Sequence, residues 1–340
     1  MAPLGLSALR SLLRRSPRPQ AWTPPEASWS RPFGLGWDQP YTVRYASNLD
    51  DGPWHGMPLG GFGAGCIGRS SRGDFNLWHL DGGEHWYGTI PDCQFSLFEN
   101  NGSSKRAHAL ALKPEADASR SNSGEPLAAW NWYPASTGEQ STGTYAARYP
   151  LSWTHYEGVF DAEVQCEAFS PILPGDYQRT SYPVAVFRWT LRNPTDQPLD
   201  LSLLLSWRNT VGWFFNTDPS AEVHFRDDGS PEHNYAPAIG YGEGQRNRWL
   251  DQEGMRGIVL EGQRSEPIGE GQGQWCLAVP DTLDGVEVLR CSRWDPTGDG
   301  QELWQPFAAE GRIPNSNNDR ASRAGEHASA AIALTFTLAP

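Results

Sequence analysis

Lysine is almost missing from this chain, occurring only at Lys105 and Lys113, and 40 acidic residues against 27 basic ones leave a formal net charge of −13. Nucleic-acid binding rests on clustered cations that displace counterions from phosphates, so this balance argues against such a partner. Cysteine is sparse too. Cys66, Cys93, Cys166, Cys276 and Cys291 are widely spaced, odd in number and contain no C-x-x-C, which suggests neither a disulfide framework nor a thiolate zinc site. Cys66, Cys166 and Cys276 lie in apolar or alternating segments and are expected to be buried, inert thiols. No stretch approaches the roughly 20 apolar residues that span a bilayer. A soluble, cytoplasmic protein with no transmembrane segment, cofactor or metal is the expectation.

Helical periodicity is also scarce, with one short helix expected around Gln301 to Ala309. What the chain has in abundance is tryptophan (16), glycine (36) and proline (28), a mixture of large apolar side chains and turn formers that favours an all-β fold. Period-two alternation runs from Phe160 to Ala168. It returns at Phe187, Trp189 and Leu191, breaks at Asn193-Pro-Thr-Asp, and resumes at Leu199, Leu201, Leu203, Leu205 and Trp207. The last two runs read as an antiparallel hairpin. Further strands are expected at Arg256–Leu260, Trp275–Val279, Val286–Cys291 and Ala331–Leu338, and exposed loops at Asn100–Pro126 and Gly311–Glu326. Together these predict a large antiparallel β-sandwich, two packed sheets with long loops.

Residues Gly63 to Gly68 satisfy G-x-G-x-x-G. A dinucleotide site needs a strand before the glycines and a helix after them. Upstream, DDGPWHGMPLGG is too rich in glycine and proline for a buried strand, and Gly73 breaks any helix downstream, so the glycines are read as serving tight turns and close backbone approach. His79, Asp81, Glu84 and His85 match no established metal-ligand spacing. Asp81, Glu84, Asp92 and Glu99 are acids from which a glycosidase-type carboxylate pair could be drawn. Trp78, Trp86, Trp130, Trp132 and Trp153 offer flat faces for sugar stacking or for core packing, with Trp130-Asn-Trp132-Tyr133 the better surface candidate.

An ordered set of segments makes the chain similar to the N-terminal domain of glycoside hydrolase family 116, the family of the non-lysosomal glucosylceramidase and bacterial β-glucosidases. They are Met57-Pro-Leu-Gly-Gly through Gly65, Arg72-Gly-Asp-Phe-Asn-Leu-Trp78, Trp130-Asn-Trp132, Tyr149-Pro-Leu, Ser170-Pro-Ile-Leu-Pro174 with Asp176-Tyr177, Pro183-Val-Ala-Val-Phe187, Ser206-Trp-Arg-Asn209 and Asp295-Pro-Thr-Gly298. The resemblance implies a β-sandwich followed, in the complete enzyme, by a helical (α/α)6 barrel that is absent from this chain and that holds the nucleophilic Glu and the acid/base Asp. No catalytic residue therefore carries over to any position here, and the chain is expected to be truncated at its C-terminal end.

On this reading residues 1–30 form a disordered or targeting-like tail, Arg-rich and free of acids before Glu26, and residues 31–340 the β-sandwich domain. The implied partners are the barrel of the same parent protein and, through it, a β-glucoside or glucosylceramide substrate. Pro58, Gly60, Gly61, Arg69, Asp74 and Trp78 are the candidates for a domain interface or cleft loop. Two other readings compete: a stand-alone carbohydrate-binding module, and a self-sufficient hydrolase using acids between Asp74 and Glu99.

Overall fold

The computed structural model describes residues 23–34, 56–81, 84–114, 124–212, 224–225, 231–232, 242–263 and 272–340, the side chains of 81–87, 224–225 and 231–232 excepted. Every pair of strands named among the described residues is antiparallel, as expected for the all-β class. The strands, numbered in chain order, divide among several sheets. One sheet places β1 (Trp29–Pro32), β8 (Gly143–Arg148), β9 (Leu151–Tyr156), β10 (Glu163–Phe169) and β11 (Val186–Arg192) side by side. A central sheet runs β18 (Glu287–Trp294), β19 (Ser329–Leu338), β12 (Leu199–Arg208), β6 (Gln94–Asn100), β7 (Lys105–Ala109). A four-stranded sheet contains β2 (Met57–Leu59), β3 (Cys66–Arg69), β4 (Phe75–Asp81) and β5 (Glu84–Tyr87), and a three-stranded one β15 (Arg246–Gln252), β16 (Met255–Glu261) and β17 (Gln274–Pro280). A two-stranded ribbon pairs β13 (His224–Phe225) with β14 (Pro231–Glu232).

This corrects the expected two-sheet sandwich: the four larger sheets form a propeller-like ring around one core. That core takes Leu59, Ile67, Phe75 and Trp78 from the β2–β5 sheet, Phe95, Leu97, Leu201 and Ile332 from the central sheet, Tyr156, Val164 and Ala168 from the β1–β11 sheet, and Ile258, Leu260 and Leu277 from β16 and β17. Rings link the four. Phe75 meets Phe187 at 5.6 Å and Trp207 at 4.8 Å, Phe95 meets Phe187 at 5.0 Å, and Trp207 meets Trp275 at 5.7 Å. Large aromatics let small sheets share one apolar centre where aliphatic side chains would need two broad facing sheets. Bulges between Gly68 and Arg69, and between Trp78 and Asp81, bend the β2–β5 sheet.

Alternation located β10, β11, β12 and β16 to β19 to within a few residues but misjudged one pairing. β11 pairs with β10, and β12 with β6 and β19, so the Asn193-Pro-Thr-Asp turn carries the chain from one sheet to another and the expected hairpin is not formed. Both strands turn apolar faces to the same core, which satisfies the pattern without any contact between their backbones. The segment 56–59, judged too rich in glycine and proline, does form β2, with Met57 and Leu59 buried. Part of the expected Asn100–Pro126 loop is strand β7, and Leu110, Ala111 and Leu112 are buried after it; residues 115–123 lie outside the described residues.

Two helices among the described residues complete the fold, α1 (Tyr177–Thr180) and α2 (Gln301–Glu310). The second matches expectation and lays Leu303, Trp304 and Phe307 over the outer face of the central sheet. Its amino end is closed by Asp299, whose carboxylate accepts from the Gln301 amide at 2.9 Å. No helix among the described residues is long and apolar enough to cross a membrane. Of the tail, residues 1–22 lie outside the described residues, while β1 begins at Trp29 and pairs with β8.

Candidate functional site

The glycine-rich turn between β2 and β3 folds down onto α1. The Phe62 amide donates to the Thr180 carbonyl at 2.8 Å, and the Gly60 amide to the Ser170 hydroxyl at 2.6 Å. A Cβ at Gly61 would stand 2.3 Å from the Ser181 carbonyl oxygen, and Gly65, at φ +79°, would meet the His79 carbonyl at 2.5 Å. These contacts are the reason for glycine at both places. Gly63 through Gly68 therefore cradles no phosphate: β3 follows the turn directly, and no helix is there to present its N-terminus.

The turn and the α1 segment each expose aromatic side chains. Phe62 is 64% exposed, Tyr177 77% and Tyr182 39%, and Pro174, Gly175 and Pro183 around them are exposed as well. The only charges on α1 answer each other, since Asp176 caps the helix by accepting from the Arg179 amide at 3.0 Å and from its Nε at 2.5 Å. Single exposed apolar residues are ordinary; three exposed aromatics contributed by one turn and the short α1 segment make this the candidate contact surface.

Of the six candidates, three lie in or beside this turn. Pro58 is exposed on β2, and Gly60 and Gly61 form the seat of the turn. The other three are engaged inside the chain. Arg69, 2% exposed, donates to the Leu110 carbonyl at 3.1 Å and to the Tyr156 hydroxyl at 2.5 Å, with its guanidinium over the rings of Phe95 and Trp189. Burial pushes the Tyr156 phenol up to about 12. Asp74 accepts from the Ser70 and Thr89 hydroxyls and holds the β3–β4 turn. Trp78 is fully buried, its indole N–H donating to the Gly88 carbonyl at 2.9 Å. Their side chains are buried and bonded within this chain. α1 itself carried no periodic signal, being one turn long; its Asp-x-x-Arg spacing was the only trace.

The acids resolve likewise. Asp92 is fully buried between Arg208, whose Nε lies 3.1 Å away, and the Ser329 hydroxyl. Glu99, 1% exposed, accepts from the Asp161 and Ala162 amides at 2.9 and 2.8 Å and from Arg106 at 3.2 Å. A general acid or nucleophile must face substrate, and these carboxylates face their own backbone and side chains. The side chains of Asp81, Glu84, His85 and Trp86 lie outside the described residues; His79 is half-buried, and among the described residues no cluster of three metal-ligating side chains occurs. Trp130, in the stretch that was the better surface candidate among the tryptophans, packs in the core: it is 4% exposed and stacks on Trp304 at 5.1 Å and Trp294 at 6.1 Å. Trp153 is buried as well, and Trp132 half-buried. All five thiols are free, and Cys276, expected inside, is exposed because β17 turns it away from the core side of Leu277. Burial pushes the Cys166 thiol up to about 12.

A family model described as beta-glucosidase 2, glycosyl-hydrolase family 116 N-term, matches residues 56–340. The chain belongs to glycosyl-hydrolase family 116. The match begins at the residue before β2 and takes in every strand but β1, so the turn, α1 and the buried acids are all parts of the family 116 N-terminal region. That region is a portion of a glycoside hydrolase, and in this chain its three described buried acids serve the fold.

Proposed function

We propose that this chain is the non-catalytic β domain of a retaining β-glucosidase or glucosylceramidase-type enzyme, and that it seats a helical catalytic barrel of the same protein against the Phe62–Tyr177–Tyr182 face. The family match carries the enzymatic half of this reading, and the internal engagement of Asp74, Asp92 and Glu99 supports the non-catalytic half. In the parent enzyme one carboxylate attacks the anomeric carbon while another protonates the leaving oxygen and later activates water. Both would stand on the barrel, with a β-glucoside or glucosylceramide between them, in the cytoplasm. Residues 31–340 would make up the folded domain and residues 1–30 its tail.

Two measurements test this. The purified chain should not turn over an aryl β-glucoside; turnover abolished by Glu84→Gln would show that local acids suffice. Co-expressed with a family barrel, wild type should co-purify with it and Phe62→Ser/Tyr177→Ser should not. Undiminished association of the double variant would remove this face from the interface. The same exposed aromatics favour a second reading, a carbohydrate-binding surface, which micromolar binding on a glycan array, lost in that double variant, would establish.

A further inference from the structure

The face of the central sheet beneath α2 is largely apolar, with Ser202 bonded to Thr335 at one end and a polar row at the other. Gln94 and Ser206 stand opposite each other across the β6–β12 pair, and Ser96 lies two residues further along β6 on the same face, opposite Leu204. All three are fully buried. The row continues to the rim through Arg208, the register partner of Ser329, and Asp92, which binds them both. The Arg208 side chain is 22% exposed, so the row reaches solvent at that end.

Four atoms of this row, Gln94 Oε1 and Nε2, Ser96 Oγ and Ser206 Oγ, have no hydrogen-bond partner among the described residues. Buried polar groups are almost always satisfied, and four orphans on three adjacent side chains call for a shared partner. That partner must be neutral, because Arg208 already matches the Asp92 charge. It must both donate and accept, because the Gln94 amide and the serine hydroxyls offer both functions. It must also be small, because Leu204, Ala331 and Cys291 pack the neighbouring positions of this face.

We propose that Gln94, Ser96 and Ser206 form a binding site for ordered water, filled from the Arg208 rim. Bound water with two to four polar partners is the usual completion of such a site. A crystal structure of the wild-type chain at high resolution should show a density peak at hydrogen-bond distance from the Gln94 amide and at least one of the two hydroxyls. A dry row with Gln94 bonded directly to Ser96 or Ser206 would overturn the proposal. Thermal melts give an independent check: if Gln94 and Ser206 hold the same water, Gln94→Met/Ser206→Ala should melt no lower than Gln94→Met alone. A fully additive loss would mean that the two side chains share nothing.

Discussion

Replacing Glu99 by glutamine changes one oxygen to nitrogen and should cost more stability than that change suggests. Oε1 accepts from the Asp161 amide at 2.9 Å and from Arg106 at 3.2 Å, and Oε2 from the Ala162 amide at 2.8 Å. Every orientation of the new side-chain amide therefore points its NH2 at a backbone N–H. One bond to a charged acceptor is lost, worth about 1.5–3 kcal/mol, and a buried donor is left without a partner, so the total is roughly 2–4 kcal/mol. Removing Arg106, a third of whose side chain is exposed, should cost less than Glu99→Gln, because Glu99 keeps both of its backbone bonds. Urea unfolding followed by tryptophan fluorescence would read both, as a lower midpoint at unchanged slope. A Glu99→Gln midpoint indistinguishable from wild type would refute the reasoning and reopen Glu99 to a catalytic role. Reduced turnover per folded molecule in the parent enzyme, with stability intact, would point the same way.

Asp92→Asn should destabilise by about 3–5 kcal/mol, since Arg208 would be left partly buried without its counter-charge, and Arg208→Met in the same chain should recover part of that loss in urea melts. Gly61→Ala drives a methyl group into the Ser181 carbonyl and should lower the melting temperature by the equivalent of roughly 1–3 kcal/mol, while also weakening capture of the barrel. His108 and His327 are held neutral, each lowered below the ordinary 6.5 first by burial and then by a nearby arginine, Arg106 or Arg208. The unfolded chain binds protons at these positions first, so stability should fall as pH drops below about 6.5 toward the folded values, and His108→Gln should flatten that decline in melts run between pH 7.5 and 5. Glu326, held near 2 chiefly by Arg320 and the Arg323 amide, acts at lower pH: its contribution is complete above 4.5 and disappears as pH falls through 2.

The runs at Phe160–Ala168 and Leu199–Trp207 were legible because their buried faces obey a strict period of two. The partners of those strands were not, because alternation reports which side faces the core and is silent about the neighbouring backbone. β2 was hidden for a different reason: Pro58 and the flanking glycines mimic a loop, yet Pro58 is exposed and only Met57 and Leu59 need burial. Trp130 misled because it follows a polar segment, while Trp294 and Trp304, more than 160 residues later, supply its stack. At the candidate face, Gly60 and Gly61 could be chosen from sequence as residues that permit close approach. Arg69, Asp74 and Trp78 could not be excluded, because their partners Tyr156, Thr89 and Gly88 come together only in the folded chain.

The placement of β12 has a consequence for how this protein is made. Its Asp200 touches Asn100, 100 residues earlier, and its Ser202 touches Thr335, 133 residues later. The middle of the central sheet thus waits until β19 has been made before it gains its second neighbour, and contacts of such long range form slowly. Until β19 emerges from the ribosome, one edge of β12 stays open to strands of other chains. Low-temperature expression or chaperone supply should raise the yield of native protein more than any substitution on its finished surface.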